Sequence, residues 1–459
     1  VEKVLFNSHL FIFIFLPLVL VVFYRLRKIN VDFSSYWLVL VSFFFYGYSQ
    51  PHYLGLLVLS ILVNFFIAQK LCNETIYSIW ILRFGIALNI FLLFMFKYYN
   101  FTIENFNKMV DTKFEALEWA LPIGISFYTI QQITYLIDVY QDRKPVKKLS
   151  DYSLAVSFFP TVLSGPITSV KIFNSQIIEN KIVDLNSLGL GIFIFVMGLF
   201  KKVYLADALS GFVENDFNNP SLSFISAWLA SLTYTFQLYF DFCGYSEMAV
   251  GIAKMFQFDL TWNFESPYKA KNLIDFWKRW HISVSQVITG YVFTPYIRSF
   301  KKITFGFMLI GVLGSMTISG IWHGASWTYI VWGVLHGLGL CLNHIFKKRK
   351  WNFPNFLSPF VTFLFVNFSF VLFRAPSIDQ GFSMLLTMLG GHSNESVKPD
   401  SIQLNLVLLS MGICFLLPNL KTYLNQFKFN FKQLFLTTLF FIMSILYLTR
   451  ETEFLYFNF

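Results

Sequence analysis

The chain has 459 residues, 56% of them hydrophobic and 13% charged, with a mean hydropathy of +0.58. An ordinary soluble domain is far less apolar and carries about twice that charge, so a soluble protein is excluded and an integral membrane protein is indicated. The formal net charge of +10 raises the question of a nucleic-acid partner, which its distribution answers below.

Apolar runs of roughly 17–25 residues, enough to cross the hydrocarbon core as helices, recur along the chain. They begin near Phe11, Tyr36, Tyr53, Ile79, Ala120, Leu188, Phe224, Phe305, Thr328, Pro359, Leu404 and Phe435. The predicted fold is an all-α integral membrane protein with about 11–12 membrane spans. No internal repeat, low-complexity tail or long hydrophilic linker divides it, and residues 1–459 are read as one polytopic domain. The first run, "LFNSHLFIFIFLPLVLVVFY", has no basic leader and no small-residue cleavage site before "RLRK". It reads as a retained span rather than a signal peptide.

Lys and Arg collect in short connections: Arg25, Arg27 and Lys28; Arg143, Lys144, Lys147 and Lys148; Lys347, Lys348, Arg349 and Lys350; and Lys421 to Lys432. The links "ENDFNNPS" and "GGHSNESVKPDS" are nearly free of basic residues. Placing the basic links in the cytoplasm gives a mostly consistent alternation with both termini outside. The positive charge is thus topological, the bilayer is the partner, and no nucleic acid is expected.

Some segments are too interrupted for plain spans. "AVSFFPTVLSGPIT" contains Pro160, Gly165 and Pro166; it is predicted to enter the membrane and turn back, which requires protein or water to cover the broken backbone. "YFDFCGYSEMAVGIAKMF" sets Asp241 and Glu247 in an apolar helix, where ionisable groups face a cavity or pair. In "SPYKAKNLIDFWKRWHISVS", Lys269 to Arg279 reads as an amphipathic interfacial helix anchored by Trp277 and Trp280. His281 and Ser283 continue beyond it. "SGIWHGASWTYIVWGVLHG" then places His323 and His336 among glycines and tryptophans.

Taken with "LPIGISFYTIQQITYLIDVY" and "SFFPTVLSGPI", these motifs resemble the membrane-bound O-acyltransferases over essentially the whole chain. The resemblance is to the branch of the alginate and peptidoglycan O-acetylation proteins and, more distantly, the D-alanyl transfer proteins. It implies a polytopic helical fold with re-entrant or broken helices and a central tunnel. Through "IWHG" it implies a catalytic role for His323, and through "RWHIS" a second functional histidine, His281. The branch continues after "RWHIS" with an Arg-Asp pair and a tract like "YIPLGG", whereas this chain reads "QVITGYVFTPYIRSFKK". Arg298, Lys301 and Lys302 keep basic charge there and are expected to border the entry for the phosphates of acetyl-CoA, the implied donor.

Acyl transfer from a thioester to a hydroxyl needs a base near neutral pKa, and a buried imidazole supplies one. Without the resemblance, each of these histidines reads equally as a hydrogen-bonded packing residue, and His336, with Gly333, Gly337 and Gly339 beside it, fits that reading best. No carboxylate or cysteine falls at ligand spacing beside them, so no metal is expected. The tail "TEFLYFNF" reads on physics alone as an aromatic interfacial anchor; the resemblance makes Tyr456 an outward acyl carrier that hands its group to an extracytoplasmic transferase. The expected function is movement of an acetyl group across the bacterial inner membrane for O-acetylation of a surface or extracellular polysaccharide. A polytopic transporter or polysaccharide-precursor export channel would also carry many spans, broken helices and buried charges.

Overall fold

The computed structural model describes residues 5–73, 75–178, 184–219, 222–351, 354–391, 400–448 and 454–455. Their regular structure is helical, and the expected starts fall in or beside observed helices except Ala120, which lies in a stretch without helix before Ile125–Asp142. Among the described residues, Pro51–Leu71, Ser78–Val110, Leu185–Phe217, Phe305–His323 and Trp327–Lys348 are long and apolar enough to cross a membrane, and Ser358–Arg374, Ser401–Leu416 and Phe431–Tyr447 are shorter apolar helices. Tyr456 lies outside the described residues.

The chain packs as two compact units, one comprising Val1–Val196 and Ser246–Thr261, the other Met197–Tyr245 and Trp262–Leu455. In the first, apolar helices are joined by buried polar pairs. Asn64 and Asn89 exchange side-chain amide hydrogen bonds at 2.7 and 3.3 Å, and Gln132 donates to Ser60 Oγ at 2.9 Å. Where lipid offers no partner, such pairs fix which helix faces meet. The interrupted segment breaks as its prolines and glycine require: the helix Leu149–Ser157 ends before Pro160, and the next begins at Val170. Gln131 Nε2 donates to the carbonyls of Ala155 and Thr168, at 3.0 and 2.9 Å. One side chain thereby satisfies groups on both sides of the break, as backbone at membrane depth demands. A cleft lined by Phe127, Tyr128, Gln131, Thr161 and Pro166, among others, opens beside the turn.

The second unit is organised by an antiparallel hairpin. Residues 282–298 run as one helical stretch with a π-helical turn at Ile288–Phe293. After a short connection, Phe305–His323 runs back, its start capped by Thr304 Oγ accepting from Phe307 N–H at 3.2 Å. Only Gly324, Ala325 and Ser326 separate it from Trp327–Lys348, whose start is capped by the Ser326 side chain. These two helices touch backbone to backbone: a Cβ on Gly320 would lie 2.4 Å from the Tyr329 carbonyl oxygen, and one on Gly333 2.6 Å from that of Met316. Small residues permit that approach, and it brings the rings of His323 and Trp332 together.

The interfacial helix expected over Lys269–Arg279 is replaced by a helix of only five residues, Leu273–Trp277. Trp280 is no headgroup anchor. It is 4% exposed and packs against Phe264 at 5.0 Å and Phe370 at 5.2 Å. The charged residues around it give an interfacial pattern, and aromatic packing draws Phe276 and Trp280 inside the unit while Lys271 and Lys278 stay exposed.

Candidate active site

His281 and His323 come together because each ends a helical arm of the hairpin. His281 is the cap before Ile282, with left-handed backbone at φ 45°, and His323 is the last residue of its helix. A non-glycine residue held at positive φ needs its surroundings to fix it. Asn263 does so: its carbonyl accepts from Ile282 N–H at 3.0 Å and its side-chain oxygen from Ser283 N–H at 3.2 Å. The imidazole centroids of His281 and His323 are 6.1 Å apart, close enough for one reacting group to span both.

The walls are aromatic. His323 meets Trp322 at 5.1 Å, Trp332 at 5.2 Å and Phe373 at 5.4 Å, all edge to face. His281 meets the Phe242 ring at 4.6 Å and 90°. His323 is 5% and His281 0% exposed. His281 lies on a connection outside the long apolar spans, where burial pushes its pKa down to about 3, so the ring is neutral and able to accept a proton. Two buried donors of the same region, Trp332 Nε1 and Ser283 Oγ, have no hydrogen-bond partner among the described residues. Buried polar atoms are nearly always paired, so these two stand out among the described residues.

His336 is held differently. Trp277 Nε1–H donates to its Nδ1 at 3.3 Å, and its Nε2 lies 2.9 Å from Ser369 Oγ, which itself donates to the Val366 carbonyl. These partners fix the Nε2–H tautomer and use both ring nitrogens, the arrangement of a helix-packing histidine. Among the described residues no three His, Cys, Asp or Glu side chains form a metal-holding group.

Arg298, Lys301 and Lys302 do not join the histidines. They are exposed at the opposite end of the hairpin, where the 19 residues of Phe305–His323 separate them from His323 by about 28 Å. Lys348 lies at that same end, its Nζ 4.1 Å from the Phe305 ring centroid. Sequence reasoning also passed over a residue that the structure makes prominent. Lys202, 1% exposed, pairs with Asp241 at 2.6 Å and Asp207 at 2.7 Å. Its signal was present in "GLFKKVYLA", a lysine pair inside an apolar run.

Residues 148–385, which include both histidines and the hairpin, match the model of the MBOAT, membrane-bound O-acyltransferase family. Over 424 residues the chain is 39% identical to the peptidoglycan O-acetyltransferase of Helicobacter pylori, covering 84% of this chain and 80% of that protein. It is 33% identical over 393 residues to the probable alginate O-acetylase AlgI of Pseudomonas putida, covering 81% and 78%. With the teichoic acid D-alanyltransferase of Bacillus subtilis it shares 28% identity over 273 residues, covering 55% and 68%. These matches decide between the enzyme and the transporter that the sequence left open. The chain belongs to the membrane-bound O-acyltransferases and is a multi-pass membrane enzyme of that family.

Proposed function

We propose that this enzyme takes an acetyl group from cytoplasmic acetyl-CoA and passes it across the bacterial inner membrane for O-acetylation of an envelope or extracellular polysaccharide. The observation that carries this reading is the buried pair His281 and His323, 6.1 Å apart between aromatic walls, in a chain whose similar relatives are named as O-acetylating enzymes. His323 acts as general base. It removes the proton of the attacking hydroxyl as that oxygen bonds to the thioester carbonyl carbon, and the tetrahedral intermediate collapses with loss of the thiolate. The imidazolium returns its proton to the sulfur, leaving an acetyl ester, free coenzyme A and a neutral histidine. His281 orients the attacking group, and Trp332 Nε1–H stabilises the oxyanion in a dry site where such a donor is most effective.

The first acceptor is the phenol of Tyr456, and an extracytoplasmic O-acetyltransferase partner takes the group from there. Phenolate is a better leaving group than an alkoxide, so attack of a sugar hydroxyl on the tyrosyl ester, expelling the phenol, is downhill. Arg298, Lys301 and Lys302 attract the donor's phosphates to the entry, and their end of the hairpin faces the cytoplasm. The test compares the glycans of a strain carrying Tyr456→Phe with those of its parent and of a deletion strain. The variant keeps the ring and removes the nucleophile, so acetylation should fall to the deletion level. Parental acetylation would refute the carrier, and an unaltered deletion strain would refute the function.

A further inference from the structure

The buried charges at Lys202 and Asp241 have no part in the chemistry assigned to the histidines, and burying them carries a desolvation cost. We propose that this pair is a positioning socket for the C-terminal tail, holding residues 454 and 455 beside the histidine site.

The socket is assembled from local features of the second unit. Lys202 lies in a π-helical turn, Lys201–Ala206, within an otherwise α-helical span, a distortion that recurs at functional sites. Gly244 allows the facing helix to come close: a Cβ there would stand 2.7 Å from the Gly198 carbonyl oxygen and 3.0 Å from Lys202 N. Lys202 Nζ reaches Asp241 Oδ1 at 2.6 Å and Asp207 Oδ1 at 2.7 Å. Asp241 keeps its second carboxylate oxygen, Oδ2, for a further donor. The tail supplies one, the Leu455 N–H donating to Asp241 Oδ2 at 3.1 Å.

Phe454 completes the contact. It is 1% exposed, its ring centroid lies 4.7 Å from Lys202 Nζ, and it meets Tyr245 edge to face at 4.7 Å. A cation against an aromatic face in a dry setting is an attractive contact, so tail and ion pair stabilise each other. The next helix residue after Asp241 is Phe242, whose ring abuts His281 at 4.6 Å. Socket and histidine site therefore use consecutive residues of one helix, and the residue that follows the docked pair in the chain is Tyr456. That the socket presents an acyl carrier rests on the reading above; that it holds the tail does not.

Hydrogen–deuterium exchange on the full chain in nanodiscs tests it, read on the peptide covering 449–459. The double variant Lys202→Met, Asp241→Leu, made in an Asp207→Asn background so that the second carboxylate facing Lys202 is not left charged, removes the socket. Exchange of the tail should accelerate roughly 10- to 100-fold, as expected for loss of a charge-assisted bond, while the Phe305–His323 peptides keep parental exchange. Acetyl-CoA consumption should also shift from polysaccharide transfer towards hydrolysis. Should the double variant not fold, Phe454→Ala, which alters only the tail, should loosen the peptide in the same way. Parental tail exchange in the folded double variant, or in Phe454→Ala when that variant decides, overturns the socket. Tyr456→Phe separates the two ideas: it should keep parental tail exchange, and if it also keeps parental glycan acetylation the carrier falls while the socket stands.

Discussion

Replacing His323 with Gln tests the base directly, and the structure sets the size of each competing effect. His323 is 5% exposed and packs edge to face against Trp322, Trp332 and Phe373. Such aromatic pairs contribute about 0.5–1.5 kcal/mol each, so truncation to Ala would mix a folding defect with a chemical one. Gln keeps a planar polar group of similar reach and limits the structural loss to about 1–3 kcal/mol, a shift of several degrees in Tm. Loss of a general base costs about 10²- to 10⁴-fold in rate, equivalent to about 2.7–5.4 kcal/mol on the barrier. The assay is thiol release from saturating acetyl-CoA by purified protein in nanodiscs, alongside thermal unfolding of the same samples. Turnover should drop by at least ~100-fold in protein that still melts cooperatively. A folded His323→Gln enzyme within ~3-fold of parental turnover would refute a general-base role.

His281 gives a pH signature. Its pKa is pushed down to about 3 by burial, against about 6.5 in an unfolded chain, so between those values the unfolded state binds the proton more readily. The stability that follows from this is complete above about pH 6.5 and is lost as pH falls towards the folded value, at up to about 1.4 kcal/mol per unit. Parental Tm should therefore drop on acidification from about pH 6.5 to about 4.5 more steeply than that of His281→Gln; parallel curves would show that the ring is not buried neutral. Trp332→Phe keeps an aromatic ring, though a smaller one, and deletes Nε1–H, and should lower kcat by about 10²- to 10³-fold with little change in KM, as for one oxyanion donor; parental kcat would return the indole to packing. Neutralising Arg298, Lys301 and Lys302 together should raise the KM for acetyl-CoA and weaken its salt dependence while leaving kcat near parental. An unchanged KM would leave the three residues with only a topological role.

Periodicity and hydropathy made the helices legible because a chain in lipid must satisfy its backbone within each span. The break at Pro160 was legible for the same reason, since ring sterics and a missing N–H admit few alternatives. What sequence could not give was which faces meet. Trp280 and Trp277 sit among Lys and Arg, a pattern shared by interfacial anchors and buried aromatic clusters, and only tertiary packing distinguishes them. Asp241 was noticed as a buried charge, but its partner Lys202 is 39 residues away in sequence, and the π turn that aims Lys202 leaves no clear mark on composition. Nothing in the sequence singles out Trp332, which the Gly320 and Gly333 contact sets against His323. Grouping Arg298, Lys301 and Lys302 near His281 was reasonable along the chain, yet a helical arm carries them to the far end of the hairpin.

That separation bears on how an acyl group could cross. The about 28 Å between the cations and His323 is close to the roughly 30 Å of a hydrocarbon core. On the proposed orientation that distance exceeds the arm of coenzyme A between its diphosphate and its sulfur, so cations at the basic end capture the donor at the mouth and do not hold its phosphates while its thioester is at the histidines. On the acceptor side, the described contact is that of Leu455 N–H with Asp241, the residue before Phe242, whose ring lies against His281. On the proposed reading, the cations serve capture of the donor and the tail serves acceptance of its acyl group. It also separates two kinetic effects: damage at the basic end should appear in the KM for acetyl-CoA, and damage at the tail in the fraction of acyl groups transferred rather than hydrolysed. An enzyme that carried its site from one face to the other by a conformational change would show both defects from either end.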